Sequence, residues 1–142
     1  MWQMVRENLD TKVKKVCGTY SSAKQGLNYA PDVLDTYFDE MKVGIDDKDD
    51  KIGDFMQACG KLAVVCNGWQ FYLSKKIHDP YGKTVAEPSG CIRIGGKVAW
   101  KKGKVIRPAI VKDIVSPDAV TVETLDGEAE VAIVSYTELK AA

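Results

Sequence analysis

Apolar residues recur at three- and four-residue steps along the first half of the chain. Trp2, Val5, Leu9, Val13 and Val16 make such a stripe, with Arg6, Glu7, Asp10, Lys12, Lys14 and Lys15 on the opposite side. That spacing predicts an amphipathic helix over residues 2–17, stopped by Gly18. Residues 18–30 are rich in Ser, Gly, Asn and Gln and read as a loop. A second helix is predicted to open at Pro31, a favoured first helical position, with Asp32 suiting the helix dipole. Leu34, Tyr37, Phe38 and Met41 form its stripe, and Gly44 ends it. After the acidic turn 46–50, a third helix is predicted from Lys51. Its apolar side is Ile52, Phe55, Met56, Cys59, Leu62, Ala63 and Cys66, with Gly60 as a weak point inside it. Asn67-Gly68 fits a hairpin turn or a helix cap, and the helical period before it favours the cap. Residues 69–77 fit a strand or a helix.

The texture changes after residues 78–90, where Pro80, Gly82, Pro88 and Gly90 punctuate the chain. Residues 81–90 therefore read as a connector between a mainly helical region, 1–80, and a β module, 91–142. Cys91–Ile94 and Lys97–Trp100 flank Gly95-Gly96. Val105–Val115 is a longer strand in which Pro108 implies an edge or a bulge. Val120–Thr124 alternates and is β-branched, Asp126-Gly127 is a hairpin signal, and Ala129–Val134 is its partner strand. Ser135–Leu139 reads as a closing helical turn. Period-two alternation predicts Val98, Ile110, Val120, Val122, Val131 and Ile133 as buried.

These strands, from Gly96-Lys97-Val98-Ala99-Trp100 through Gly103–Val115, Val120–Thr124, Asp126-Gly127 and Val131–Val134 to the turn at 135–139, resemble an SH3-like small barrel of the KOW or Tudor kind. The resemblance covers about a third of the chain and implies a small antiparallel barrel. The aromatics nearby are Trp100, Tyr136 and Tyr81, too few for the cage of a methylated ligand. The expected fold is thus α+β: a mainly helical N-terminal half followed by a small antiparallel barrel.

Charge sharpens this picture. The chain carries 20 basic and 20 acidic residues, yet they are segregated. From Tyr81 to Lys112 there are eight bases and one acid. From Pro31 to Asp54 there are nine acids and three bases, and after Lys112 seven acids and one base. Such blocks create local fields that the total conceals. Trp100-Lys101-Lys102-Gly103-Lys104 would project three ammonium groups beside an indole. With Arg93, Lys97 and Arg107 they form a candidate nucleic-acid contact, because ammonium and guanidinium groups neutralise phosphates and an aromatic stacks on a base. The alternatives are a solvated hairpin with charged edges and a partner protein with an acidic face.

Other candidate chemistry is thin. Cys17, Cys59, Cys66 and Cys91 have neither zinc-ribbon nor redox spacing, and apolar neighbours suit them as small core residues. The aspartates at 46–50 lack the glycine and closing glutamate of a calcium loop. His78-Asp79 is an adjacent pair without a nucleophile motif, and Trp69, Phe71 and Tyr72 read as core. No metal or cofactor is expected. The absence of an apolar leader or membrane-length run leads us to expect a cytoplasmic, membrane-free protein. The expected role is non-catalytic binding: a nucleic-acid-binding accessory or regulatory protein of bacterial, phage or mobile-element type, with a homo-oligomer contact through the helical half. The rival is an adaptor or inhibitor of a host or regulatory protein, acting through the acidic N-terminal half. An enzyme with dispersed active-site residues is the third class.

Overall fold

In the computed structural model, which describes residues 1–75 and 90–141, strands run through both halves of the chain. The order is β1 (Trp2–Asn8), β2 (Lys14–Tyr20), α1 (Ala23–Glu40), α2 (Ile45–Gln57), β3 (Val64–Cys66), β4 (Trp69–Lys75), β5 (Lys97–Lys102), β6 (Val105–Ile114), β7 (Ala119–Thr124), β8 (Val131–Ser135), a 3-10 turn (Tyr136–Glu138) and β9 (Leu139–Ala141). Two antiparallel sheets result, ordered β2-β1-β4-β3 and β8-β7-β6-β5-β9. The expected helical half followed by a barrel is therefore overturned. Among the described residues the α-helices are two, both lie inside the first half, and they cover a sheet. The second sheet ends on β8 and β9, which do not pair with each other, so it is open rather than a closed barrel.

The expected first helix is a hairpin. The Asn8 carboxamide oxygen accepts from the amides of Asp10 and Thr11, both at 2.9 Å, and Lys12 takes a left-handed φ of 63°. That side-chain-capped turn reverses the chain between β1 and β2. The helical stripe misleads because β1 is buried on both faces. Met4 packs toward the helices, while Val5 and Glu7 point to the opposite side. A strand covered on both sides shows no simple alternation of polar and apolar residues.

α1 begins eight residues before Pro31. The Ser22 hydroxyl caps it, accepting from the Gln25 amide at 3.1 Å, while the Gln25 side chain accepts from the Ser21 amide at 2.7 Å. Pro31 sits inside the helix and removes one helical donor, at a cost of about 3 kcal/mol. Burial of Ala30, Leu34 and Phe38 on one continuous face outweighs that cost. α2 takes in the supposed acidic turn, which places Asp46 and Asp47 at the favourable end of the dipole. It stops at Ala58, not at residue 66. Cys59 and Gly60 adopt left-handed φ values of 53° and 71°, and their amides return to Met56 and Phe55 at 3.0 Å each. This is a Schellman stop, so Gly60 ends the helix instead of weakening its interior. Asn67 and Gly68, with φ of 50° and 81°, form the tight turn of the β3–β4 hairpin rather than a cap.

Phe71, Leu73, Met4, Leu34, Phe38 and Phe55 make the core between the first sheet and its helices, with the Phe38 and Phe71 rings edge to face at 5.0 Å. The opposite face meets residues 91–94, with Val5, Ala63, Tyr72 and Cys91 packed there. Two backbone hydrogen bonds join the halves, Ala63 to Ile92 at 2.8 Å and Ile92 to Lys61 at 2.9 Å. Leu62 and Ile92 then enter the core of the second sheet beside Val98, Trp100, Val111 and Val122.

In that sheet Val98, Val120 and Val122 are buried as the alternation predicts, and Ile110 is half-buried. Val131 and Ile133 are not: they are 64% and 66% exposed, because β8 turns Val134 inward. Pro108 sits in a central strand where the β6–β7 ladder ends: its carbonyl still accepts from Leu125 just past β7, and its missing N–H falls beyond the last paired residues, Ala109 and Thr124. The bulge falls further on, between Val111 and Asp113. The 3-10 turn at Tyr136–Glu138 matches the expected closing turn. Most of the connector at 81–90, and His78-Asp79, lie outside the described residues.

Replacing Phe38 by Ala should cost about 3–5 kcal/mol in urea unfolding, as for a buried phenylalanine. Ile133→Thr should change stability by no more than about 0.5 kcal/mol, because the site is exposed.

Candidate nucleic-acid interface

The β5–β6 hairpin decides where the basic residues go. Lys102 pairs with Val105 across a two-residue turn whose first member, Gly103, has a φ of 64°. Glycine meets that requirement without strain, and the turn's twist matches the strands it joins. Alternation along β5 then sends Val98, Trp100 and Lys102 to the core side, and Lys97, Ala99 and Lys101 to the outer face.

The seven candidate residues consequently part company. Trp100 is only 4% exposed and belongs to the core, so it offers no stacking platform. Lys102 folds back over its indole, at 5.3 Å from the ring, and reaches Glu130 at 3.5 Å. Arg107 is consumed by the β7–β8 loop. It contacts the Asp126 carboxylate at 3.0 Å, Glu130 at 2.7 Å, the Thr124 hydroxyl at 3.2 Å and two loop carbonyls.

Arg93 is removed furthest from the patch. It lies between the sheets, with its guanidinium 3.2 Å from Glu7 and over the Tyr72 ring. The Tyr72 hydroxyl donates to the same Glu7 oxygen at 2.9 Å. Beside them the Gln70 carboxamide both donates to the Ile94 carbonyl and accepts from the Ile94 amide, at 2.9 and 2.8 Å. Burial, reinforced by the Glu7 charge, raises the Tyr72 pKa, and burial pushes the Cys91 thiol up to about 12. This cluster is structural: it satisfies polar groups that the sheet contact has taken out of water.

Lys97, Lys101 and Lys104 remain. They are exposed and form no ion pair among the described residues. The structure adds Lys140, which sequence reasoning passed over as the one base in an acidic tail. β9 returns alongside β5 and places Lys140 opposite Ala99, between Lys97 and Lys101. Lys101 and Lys140 border a groove of about 440 Å³ floored by Ala99 and Ile106, with Glu138 on its rim. Comparison with family models, curated proteins and solved structures finds no match. The argument for function therefore rests on the site. Elsewhere on this sheet Lys112 faces Glu123 at 3.5 Å, so the acidic C-terminal strands neutralise one flank and leave the β5/β9 flank cationic.

Two outcomes are expected from the buried cluster. Glu7→Ala should cost about 3–5 kcal/mol in denaturant unfolding, since it strands the Arg93 charge. Stability should also fall as pH rises above about 9. The unfolded chain then releases the Cys91 proton while the folded chain keeps it up to about 12. The slope is about 1.4 kcal/mol per pH unit for that one group. Cys91→Ser should flatten the alkaline limb in a pH series of urea midpoints.

Proposed function

We propose that this is a non-catalytic binding protein whose β5/β9 face contacts nucleic-acid phosphates through Lys97, Lys101, Lys104 and Lys140. One observation carries the reading. The cations on the rest of the sheet are held in ion pairs with Asp126, Glu130 and Glu123, while these four stand exposed around one face. Lysine is a hydrated point charge that suits a phosphate and does not read a base edge as the planar guanidinium does. With Trp100 in the core, the contact is one of charge and shape, with little discrimination among sequences.

The second reading is a protein partner bound through the acidic helical surface. It is favoured by Ile45, 69% exposed among Asp46, Asp49 and Asp50 at the start of α2. In either case no helix among the described residues is long and apolar enough to cross a membrane.

Fluorescence anisotropy with labelled duplex and single-stranded DNA and RNA of mixed sequence tests the nucleic-acid reading. Four phosphate contacts give a log–log salt slope of about −3.6 on duplex DNA and about −2.8 on a single strand. The quadruple change of Lys97, Lys101, Lys104 and Lys140 to Glu should abolish binding. K15E/K24E, the same kind of charge reversal on the first sheet and α1, should leave most of it. No binding by the native protein at low salt, or equal losses in the two variants, would remove the proposal.

A further inference from the structure

The helical layer presents a surface complementary to the lysine groove. α2 exposes Ile45, Asp46, Asp49 and Asp50 in its first two turns, where Asp49 lies one turn from Ile45 and Asp50 one turn from Asp46. Among the described residues Ile45 is the most exposed of the large apolar side chains. The groove offers the converse: an apolar floor of Ala99 and Ile106, with Ile106 65% exposed, bordered by Lys101 and Lys140. One surface is an apolar knob ringed by carboxylates, and the other an apolar hollow flanked by ammonium groups.

The two cannot meet within one molecule. The C-terminal end of α2 is the end near the groove: Gln57, Ala58 and Cys59 share a cavity with Tyr136, Thr137 and Leu139. Ile45 lies twelve residues back along the helix, about 18 Å away at 1.5 Å per residue. Among the described residues, the aspartates closest to a cation are on α1. There Lys48 is held by Asp35 and Asp39 at 2.8 and 2.9 Å, which turns that lysine away from the exposed carboxylates of α2.

We infer that the start of α2 of one molecule docks in the β5/β9 groove of a second copy, with Ile45 in the hollow and Asp46, Asp49 and Asp50 against Lys101 and Lys140. The occupant is a second copy because the complementary charge is carried by the chain itself, whose net charge is zero despite its segregated blocks. The contact joins unlike surfaces, so it is head-to-tail and extends into short chains rather than closing as a two-fold dimer. Its footprint is small, so the association is weak and reversible. Salt screens it, since both charge sets are at the surface. The inference does not depend on the nucleic-acid reading, though the two ligands would compete for the same lysines.

Sedimentation velocity over a concentration series tests it. The native protein should show a sedimentation coefficient that rises with concentration at low salt and stays at the monomer value at high salt. K101E/K140E spoils the groove and D49K/D50K spoils the knob, all at exposed positions. Each variant alone should remain monomeric at low salt. An equimolar mixture of the two should recover association, because each knob again meets an opposite groove. Ile45→Asn, which leaves the charges in place, should weaken self-association about tenfold or more through loss of the apolar anchor. Far-UV circular dichroism and thermal unfolding confirm that each variant is folded. A native protein that stays monomeric at low salt up to about 1 mM would overturn the inference. So would a mixture that does not associate. Association insensitive to Ile45→Asn would also overturn it, because net charge alone would then be responsible.

Discussion

Glu7 and Arg93 are the charges on which the joint between the two sheets depends. Both are nearly fully buried, and they come from strand β1 and from the segment that enters the second sheet. Placing two ions in a low-dielectric interior is expensive, and their attraction offsets that cost only with good geometry and further hydrogen bonds. Tyr72 and its ring supply some of these, and Gln70 secures the neighbouring backbone at Ile94. A contact made only of apolar side chains could slide by a residue at modest cost. A slip here would leave a carboxylate and a guanidinium without partners. The pair therefore selects one register for residues 91–94 against β1 and β4, and the backbone bonds between Ala63, Lys61 and Ile92 follow from that register.

The consequence for the rest of the molecule is a chain of dependent layers. β4 must be covered twice, by α1 and α2 on one face and by residues 91–94 on the other, and it is almost wholly buried. Leu62 and Ala58, at the end of α2, belong to the core of the second sheet, so the two cores touch through the helix stop. The lysine face is the outer side of that second sheet. The β7–β8 loop is stapled to Arg107, which holds Asp126 and Glu130.

The β module was largely legible in the residues, and the first half was not. Val120–Thr124 has one wet face, so its alternation survives in the sequence. β1 and β4 are buried on both faces, and there alternation disappears. In β1 the remaining three- and four-residue recurrence of Trp2, Val5 and Leu9 imitates a helix. Asn67-Gly68 carried the correct local signal, but it was outweighed by a helical period that the Cys59-Gly60 stop had already ended. For α1, the capping pair Ser22 and Gln25 was a better guide than Pro31, whose helical preference is positional and was overridden by packing. The scatter of the seven candidate residues has a related reason. Local charge density says nothing about which side of a strand a lysine occupies, nor that Lys140 will return beside Ala99.

The position of the first strand has a temporal consequence. β1 is flanked by β2 and by β4, and its register sets Trp2 opposite Lys75. The amino-terminal hairpin can form as soon as it is made, yet half of its backbone bonding capacity waits for residues synthesised some seventy positions later. Strand pairing across such a sequence separation is slow compared with the formation of a helix or a hairpin. On the ribosome the hairpin and α1 would be complete while the edge of β1 was still open. The lysines at 14 and 15 guard the other side of that hairpin, but β1 itself offers Met4 and Val5 to any strand that passes. β1 is thus protected on this side only when β4 arrives, a delay that a slow translation rate would lengthen.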